Sequence, residues 1–267
     1  MSVWVTRSAP GNLSTARGLK TLGRKPLLVP VLATRGLPHD ELGSLPDALV
    51  FSSVHAVRHH RFSERFHDVP VFTASGAAAA AAAAAGYRSV TSAGGTDETL
   101  GGMLGHVLRR RARVALLCAA RTGNMLEERL GPTEVQLERL VVYEPVGLDD
   151  REIDPAIEQL GRVDAITVHS RTAAERLLPA IRHSDWRGSF WCMSHEAGAL
   201  LSSVPGVAVA VAEGPTENAL LAMIARRTPF GSPTGLRARP PLPLRAERAS
   251  FCRSAEQDPA ANDNARE

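Results

Sequence analysis

The stretch "VFTASGAAAAAAAAAGYRSVTSAGGTDETL" (residues 71–100) carries nine consecutive alanines, 77–85, between two glycines. How that run is read decides the fold. A low-complexity linker would cut the chain in two, a membrane segment would anchor it, and a packed helix would join two strands. The chain repeats itself in a way that selects the third reading. "FWCMSHEAGALLSSVPGVAVAVAEGPTENAL" (190–220) lies over the same pattern, strand on strand, with "GGTDETL" (94–100) on "GPTENAL" (214–220). The alanine run then falls on "EAGALLSSV" (196–204), a helix between two strands. Upstream, at nearly the same offset, "DALVFSSVHAV" (47–57) matches "DAITVHSRTAA" (164–174): Asp-Ala, an apolar strand, then serine opening a helix. Alanine is the best helix former and loses no side-chain entropy, and its lack of bulk lets a helix sit close to a sheet. A spanning helix needs about 18 or more strongly apolar residues, which no segment supplies.

Outward from the repeat, short apolar runs alternate with helical patterns. Strands are predicted at 3–6, 26–32, 48–52, 71–74, 89–91, 114–118, 138–146, 165–169, 190–193 and 207–212. Between them lie patterns such as "TENALLAMIARR" (216–227), with Leu220, Met223 and Ile224 on one face. Such alternation implies parallel sheets built from right-handed βαβ units, and this many strands fits two α/β lobes. The lobes are not consecutive. The βαβ unit "VWVTRSAPGNLSTARGLKTLGRKPLLVP" (3–30) has no counterpart directly before Asp164. One lobe is therefore expected from 1–33 with 147–228 and the other from 34–146, the chain crossing near "VLATR" and returning through "VVYEPV". Residues 229–267, rich in Pro and Arg and polar at the end, read as a disordered tail dispensable for folding and turnover.

The bulk numbers exclude more than they assign. A net charge of +3 over 267 residues is too weak to argue for nucleic acid. Lys20 and Lys25 are the only lysines among 31 basic residues, so cationic chemistry rests on arginine, whose planar fork pairs bidentately with carboxylates. Cys118, Cys192 and Cys252 are too scattered for a disulfide framework or a zinc site. The opening "MSVWVTRSAP" runs straight into a strand and lacks a signal peptide's apolar stretch. A soluble cytoplasmic protein is expected.

In parallel α/β sheets, ligands bind at the carboxyl ends of the strands, where helix N-termini offer free amides to anions. Here those ends carry a recurring device: Thr6 and Arg7, Ser52 and Ser53, Arg121 and Thr122, Ser170, Arg171 and Thr172, and Thr216. Any one hydroxyl reads as an ordinary helix cap. Five such turns, three with arginine, favour a polyanionic ligand between the lobes. No phosphate-binding GxxxxGK[ST] loop, GxGxxG fingerprint or GxSxG elbow is present. His55, His59 and His60, with His67 nearby, lack a carboxylate or cysteine to complete a metal set and read as a solvated helix face. Tyr143, one of two tyrosines, sits in the returning connection, where a phenol can donate a proton or a hydrogen bond.

The chain resembles the uroporphyrinogen-III synthase family over about residues 3–227. The resemblance is carried by "VTR" with "GLKTLGRKPLLVPVL", "DALVFSSVHAV", "YEPV", "DAITVHSRTAAERL" and "GPTENALLAMI", in that order and spacing. It implies an α/β fold of two flavodoxin-like, doubly wound parallel-sheet lobes joined by a two-stranded connection. It also implies a cofactor-independent, monomeric lyase of porphyrin (haem) biosynthesis. The implied substrate, hydroxymethylbilane, is a linear tetrapyrrole with eight carboxylates. It loses hydroxide, inverts its last ring through a spiro intermediate and closes. Tyr143 matches the tyrosine that assists hydroxide departure. Thr6, Arg7, Ser52, Ser53, Ser75, Arg121, Thr122, Ser170, Arg171, Thr172, Ser194 and Thr216 would hold the substrate. Two turns depart from the family pattern. Ser75 and Ala78 stand where a glycine and a threonine are expected, and Glu196 and Ala197 where threonines are. The departures favour an alternative reading, a non-catalytic homologue that binds a tetrapyrrole or another polyanion between its lobes.

Overall fold

A computed structural model describes residues 1–39 and 42–227; the predicted tail and Cys252 lie outside the described residues. Eleven strands form two sheets among those residues. The first sheet holds β1 (Ser2–Val5), β2 (Lys25–Leu28), β9 (Ala165–Val168), β10 (Ser189–Cys192) and β11 (Ala208–Val211), in the spatial order β11-β10-β9-β1-β2 and all parallel. The second holds β3 (Leu32–Gly36), β4 (Ala48–Phe51), β5 (Val71–Thr73), β6 (Val90–Ser92), β7 (Arg113–Ala119) and β8 (Gln136–Gly147), in the order β3-β8-β7-β4-β5-β6. The predicted strand 26–32 is two strands. The chain leaves β2 after Leu28 and starts β3 at Leu32 in the other sheet, with Pro30, which cannot donate to a ladder, between them.

Five strands of each sheet match in space. β9, β10 and β11 correspond to β4, β5 and β6, as the repeat implied. The unit β1–α1–β2, with α1 at Gly11–Thr21, corresponds to β7–α5–β8, with α5 at Met125–Leu130. The counterpart missing before Asp164 therefore exists, at the other end of the repeat: one lobe is a circular permutation of the other. The first lobe has the strand order of a doubly wound flavodoxin-like sheet, and the second has the same spatial arrangement with the chain order permuted.

Helices cover both faces of each sheet, so strand residues alternate between two apolar layers. In the first sheet Trp4, Ile166 and Phe190 pack with Leu177 of α7 (Arg171–Arg182) and Leu201 of α8 (His195–Leu201). Val3, Val5 and Trp191 face the other way, onto Leu19 of α1 and Leu220 and Ile224 of α9 (Glu217–Arg226). In the second sheet Leu49, Phe51 and Leu117 pack under α2 (Val54–His59) and α3 (Gly76–Ala85). Val50, Phe72 and Leu116 face α4 (Asp97–Val107) and α5. The last helix, α6 (Asp150–Ile157), sends Ile153 and Ala156 to the core of the first lobe.

The alanine run is α3. Ser75 caps its start by accepting a hydrogen bond from the Ala78 amide at 3.3 Å. Gly86 ends it in the left-handed region at φ 112°, where a side chain would be strained and a Cβ would also press on Phe62 at 3.0 Å. Ala78 and Ala82 are the buried pair facing the sheet. The run is thus a close-packed helix whose identity is set at its ends by a cap and a glycine.

β8 is the joint. Its first part runs parallel to β7, and its last five residues pair antiparallel with β3, from Tyr143↔Gly36 to Gly147↔Leu32. The register slips by one between Cys118↔Val141 and Ala119↔Tyr143, so Val142 is the extra residue of a bulge. Val142 and Tyr143 consequently share one apolar layer, under α2, instead of alternating.

Ala82→Leu should lower unfolding free energy by about 1–3 kcal/mol, because α3 has no room for added methylenes. Ala83→Leu, on the exposed side, should stay within about 0.5 kcal/mol of the parent. Urea titration followed by circular dichroism separates the two.

Candidate active site at the carboxyl ends of the strands

The strand–helix turns after β4, β5, β6, β9, β10 and β11 are each closed by a capping hydroxyl. Ser53 accepts from the Ala56 amide, Ser75 from Ala78, Ser170 from Ala173, Ser194 from Ala197 and Thr216 from Ala219, at 3.1 to 3.4 Å. Each cap holds one helix N-terminus at the carboxyl edge of its sheet, where the remaining amides are the kind of donors that suit an anion. Thr96, the partner of Thr216 in the repeat, caps α4 in the same way at 3.5 Å. Ala78 contributes its amide to such a cap while its methyl is buried. Glu196 stands exposed in the first turn of α8, where the helix dipole favours a carboxylate.

Three of the predicted residues are placed differently from the rest. Thr6 is buried, and its hydroxyl donates to the Thr167 carbonyl at 2.7 Å, tying β1 to β9. Thr122 accepts from the Ala119 amide at 3.1 Å and shapes the turn after β7. Ser52 lines a small apolar recess with Asp97, Thr122 and Leu126; burial raises the Asp97 pKa, with Glu127 adding to the effect.

The arginines have different partners. Arg7 pairs with Glu217 at 3.0 Å, and the same carboxylate lies 3.4 Å from His169 Nε2. Burial lowers the His169 pKa and works to raise that of Glu217, but His169, Thr15 and Arg7 together outweigh burial and hold Glu217 below the usual carboxylate range. Arg171 pairs along its own helix with Glu175 at 2.9 Å and is largely exposed. Arg121 is exposed and opens onto a cavity of ≈ 330 Å³ that it lines with Thr172, Glu144, Glu175 and Arg176. That cavity brings Arg121 of the β7 turn to Thr172 of α7, one residue from each lobe. Arg176 is itself fixed, donating to the Leu148 carbonyl at 2.6 Å and to Asp150 at 2.7 Å.

The phenol of Tyr143 meets the Ser53 hydroxyl at 2.9 Å, so the residue that caps α2 also orients the tyrosine. Tyr143 is 8% exposed. Burial raises its pKa and the Ser53 hydrogen bond partly opposes the rise, keeping the phenol protonated at neutral pH. Two imidazoles flank the ring: His55 at 5.8 Å, tilted, and His59 at 5.7 Å, stacked within 18°. The His59 Nε2 is 2.9 Å from Thr34 Oγ1 on β3. The sequence alone reads these histidines as a solvated face; the structure instead turns His55 and His59 onto Tyr143. Their i, i+4 spacing behind a capping serine was visible; that the face turns onto Tyr143 was not.

The chain matches the family model described as uroporphyrinogen-III synthase HemD over residues 14–222. No curated protein matches it in sequence. A solved uroporphyrinogen-III synthetase from Helicobacter pylori is similar in fold, with a TM-score of 0.54 at 16% identity, over 84% of this chain and 97% of that one. A solved uroporphyrinogen III synthase mutant from Thermus thermophilus aligns with a TM-score of 0.44 at 18% identity, over 85% of this chain and 98% of that one.

The third histidine of the α2 region, His60, has no partner on either ring nitrogen and packs against Phe51 and Phe66. Burial, then His39 and Arg65, lower its pKa to about 4. The ordinary value is about 6.5, so between those limits the unfolded chain takes up a proton that the folded one refuses. Stability contributed here is present above pH ~6.5 and is lost as pH falls toward about 4. His60→Leu should flatten that part of the stability–pH curve, with a gain on the order of 1–2 kcal/mol at about pH 5. Urea midpoints across the window measure it.

Proposed function

This chain belongs to the uroporphyrinogen-III synthase family of tetrapyrrole synthesis, and we propose that it is a cofactor-independent lyase that cyclises hydroxymethylbilane in the cytoplasm as a monomer. The two lobes of the reading are 1–33 with 147–228, and 34–146. The observation that carries it is the placement of Tyr143. The bulge in β8 puts this phenol under α2, and Ser53 fixes its hydroxyl at 2.9 Å.

Hydroxymethylbilane brings eight carboxylates, and helix N-termini and arginines are the groups that suit them. Arg121 and Thr172 at the ≈ 330 Å³ cavity would take one carboxylate. Arg7, Arg171, Ser52, Ser75, Ser170, Ser194 and Thr216 would line the edges along which the rest extend. Thr6 and Thr122 act in this scheme by shaping their turns. Tyr143 gives its proton to the departing hydroxide. The two lobes then hold the cation so that the last ring turns over before closure, converting diffusion into a restrained intramolecular step.

Purified protein given hydroxymethylbilane should form the type III isomer; formation of the type I isomer alone, the product of closure without enzyme, would sink the proposal. In the same assay Tyr143→Phe should lower kcat by up to about 10²-fold with KM nearly unchanged, because the phenol is wanted only as charge develops on the leaving oxygen. Arg121→Ala should instead raise KM, with the melting temperature within about 1–2 °C of the parent, as expected of an exposed side chain.

A further inference from the structure

We propose that His55 is a second catalytic residue, the base that receives the proton released when the inverted ring regains its aromaticity. The proposal rests on the synthase reading. Its ground is geometric. His55 sits on the first turn of α2, half-buried, with its ring against Tyr143 at 5.8 Å. His59 is on the same face but is engaged with Thr34 and stacked flat on the phenol ring. No hydrogen bond to a described residue occupies the His55 nitrogens, so they remain available on a ring that lies against Tyr143.

The reaction needs such a group. When the C–O bond of the hydroxymethyl group breaks, the oxygen keeps the electron pair, takes the Tyr143 proton and departs as water. The cationic carbon then bonds to the last pyrrole and rearranges through the spiro centre. The α-carbon that ends up bonded still carries a hydrogen, which must leave as a proton while its bonding pair returns to the ring. His55 takes that proton and passes it to the Tyr143 phenolate at its side. The net change is loss of one water, with both side chains restored.

The surroundings keep His55 neutral and therefore able to accept. Burial lowers its pKa, as do Arg58 and His59 on its own helix and Arg7 from the turn after β1. Of the elements packed on α2, α3 and β4 carry no ionisable side chain. β8 brings Tyr143 and Glu144, and Arg35 on β3 neutralises Glu144 at 2.5 Å. Cys118 of β7 is buried with a raised pKa. A base with this environment gives kcat an acid limb whose midpoint lies below the ordinary histidine value of about 6.5.

The test follows kcat against pH, and the isomer formed, in the full chain. His55→Gln should lose about 10²-fold in kcat, lose the acid limb, and still give type III product. Arg58→Gln, an exposed change that removes only a 3.4 Å hydrogen bond to the Ala9 carbonyl and should leave folding intact, should move the acid limb to higher pH, and it carries the test if His55→Gln does not fold. Parent kcat and limb in His55→Gln, a drop in kcat that keeps the limb, or an unmoved limb in Arg58→Gln each overturns the proposal while the synthase reading stands. A parent protein that makes no type III product overturns both.

Discussion

β8 has to satisfy two partners along one strand, and the rest of the molecule depends on how it does so. Its first residues complete a parallel sheet and its last five pair antiparallel with β3. A parallel ladder has slanted, evenly spaced bonds and an antiparallel ladder has paired perpendicular ones. The bulge at Val142 falls where the two meet. It lets both ladders close, and it turns Tyr143 onto the layer under α2. The joint between lobes and the position of the phenol are one structural event.

The polar turns gain their character from a similar double use. A cap costs a hydroxyl nothing beyond its orientation and satisfies one otherwise unpaired amide. Ser53 does this for α2 and also meets the Tyr143 phenol. The other capping hydroxyls keep their helix N-termini at the sheet edges, so anion-binding capacity there resides in backbone amides as much as in side chains. This explains why Ala78 and Glu196 fit their positions: the amide of the first does the capping work, and the second suits the dipole of α8.

Charge at these edges is balanced in the first lobe and less so in the second. Arg7 is held by Glu217, itself backed by the buried His169. Arg171 is held by Glu175. Arg121 lines its cavity with Glu144 and Glu175 nearby, but those carboxylates pair with Arg35 and Arg171. Arg7 and Arg171 are thus already oriented by carboxylates in one lobe, while Arg121 in the other has no ion pair among the described residues.

The sequence by itself determined the class of fold, the two lobes and the reading of the alanine run. These rest on local periodicity, on caps such as Ser53 and Ser170, and on a repeat whose two copies keep the same internal order. It also singled out Tyr143, because "YEPV" sits in the returning connection. Other features were decided only in three dimensions. The counterpart of β1–α1–β2 is β7–α5–β8, which the permuted order hides from any comparison at a fixed offset. Thr6 faces inward because Thr167 lies on a strand 161 residues away. His55 and His59 meet Tyr143 because a bulge shifts the register of β8, and a register between distant strands is set by their pairing. Periodicity reports what a residue does within its own element; which face meets which depends on contacts that the chain makes only once it has folded.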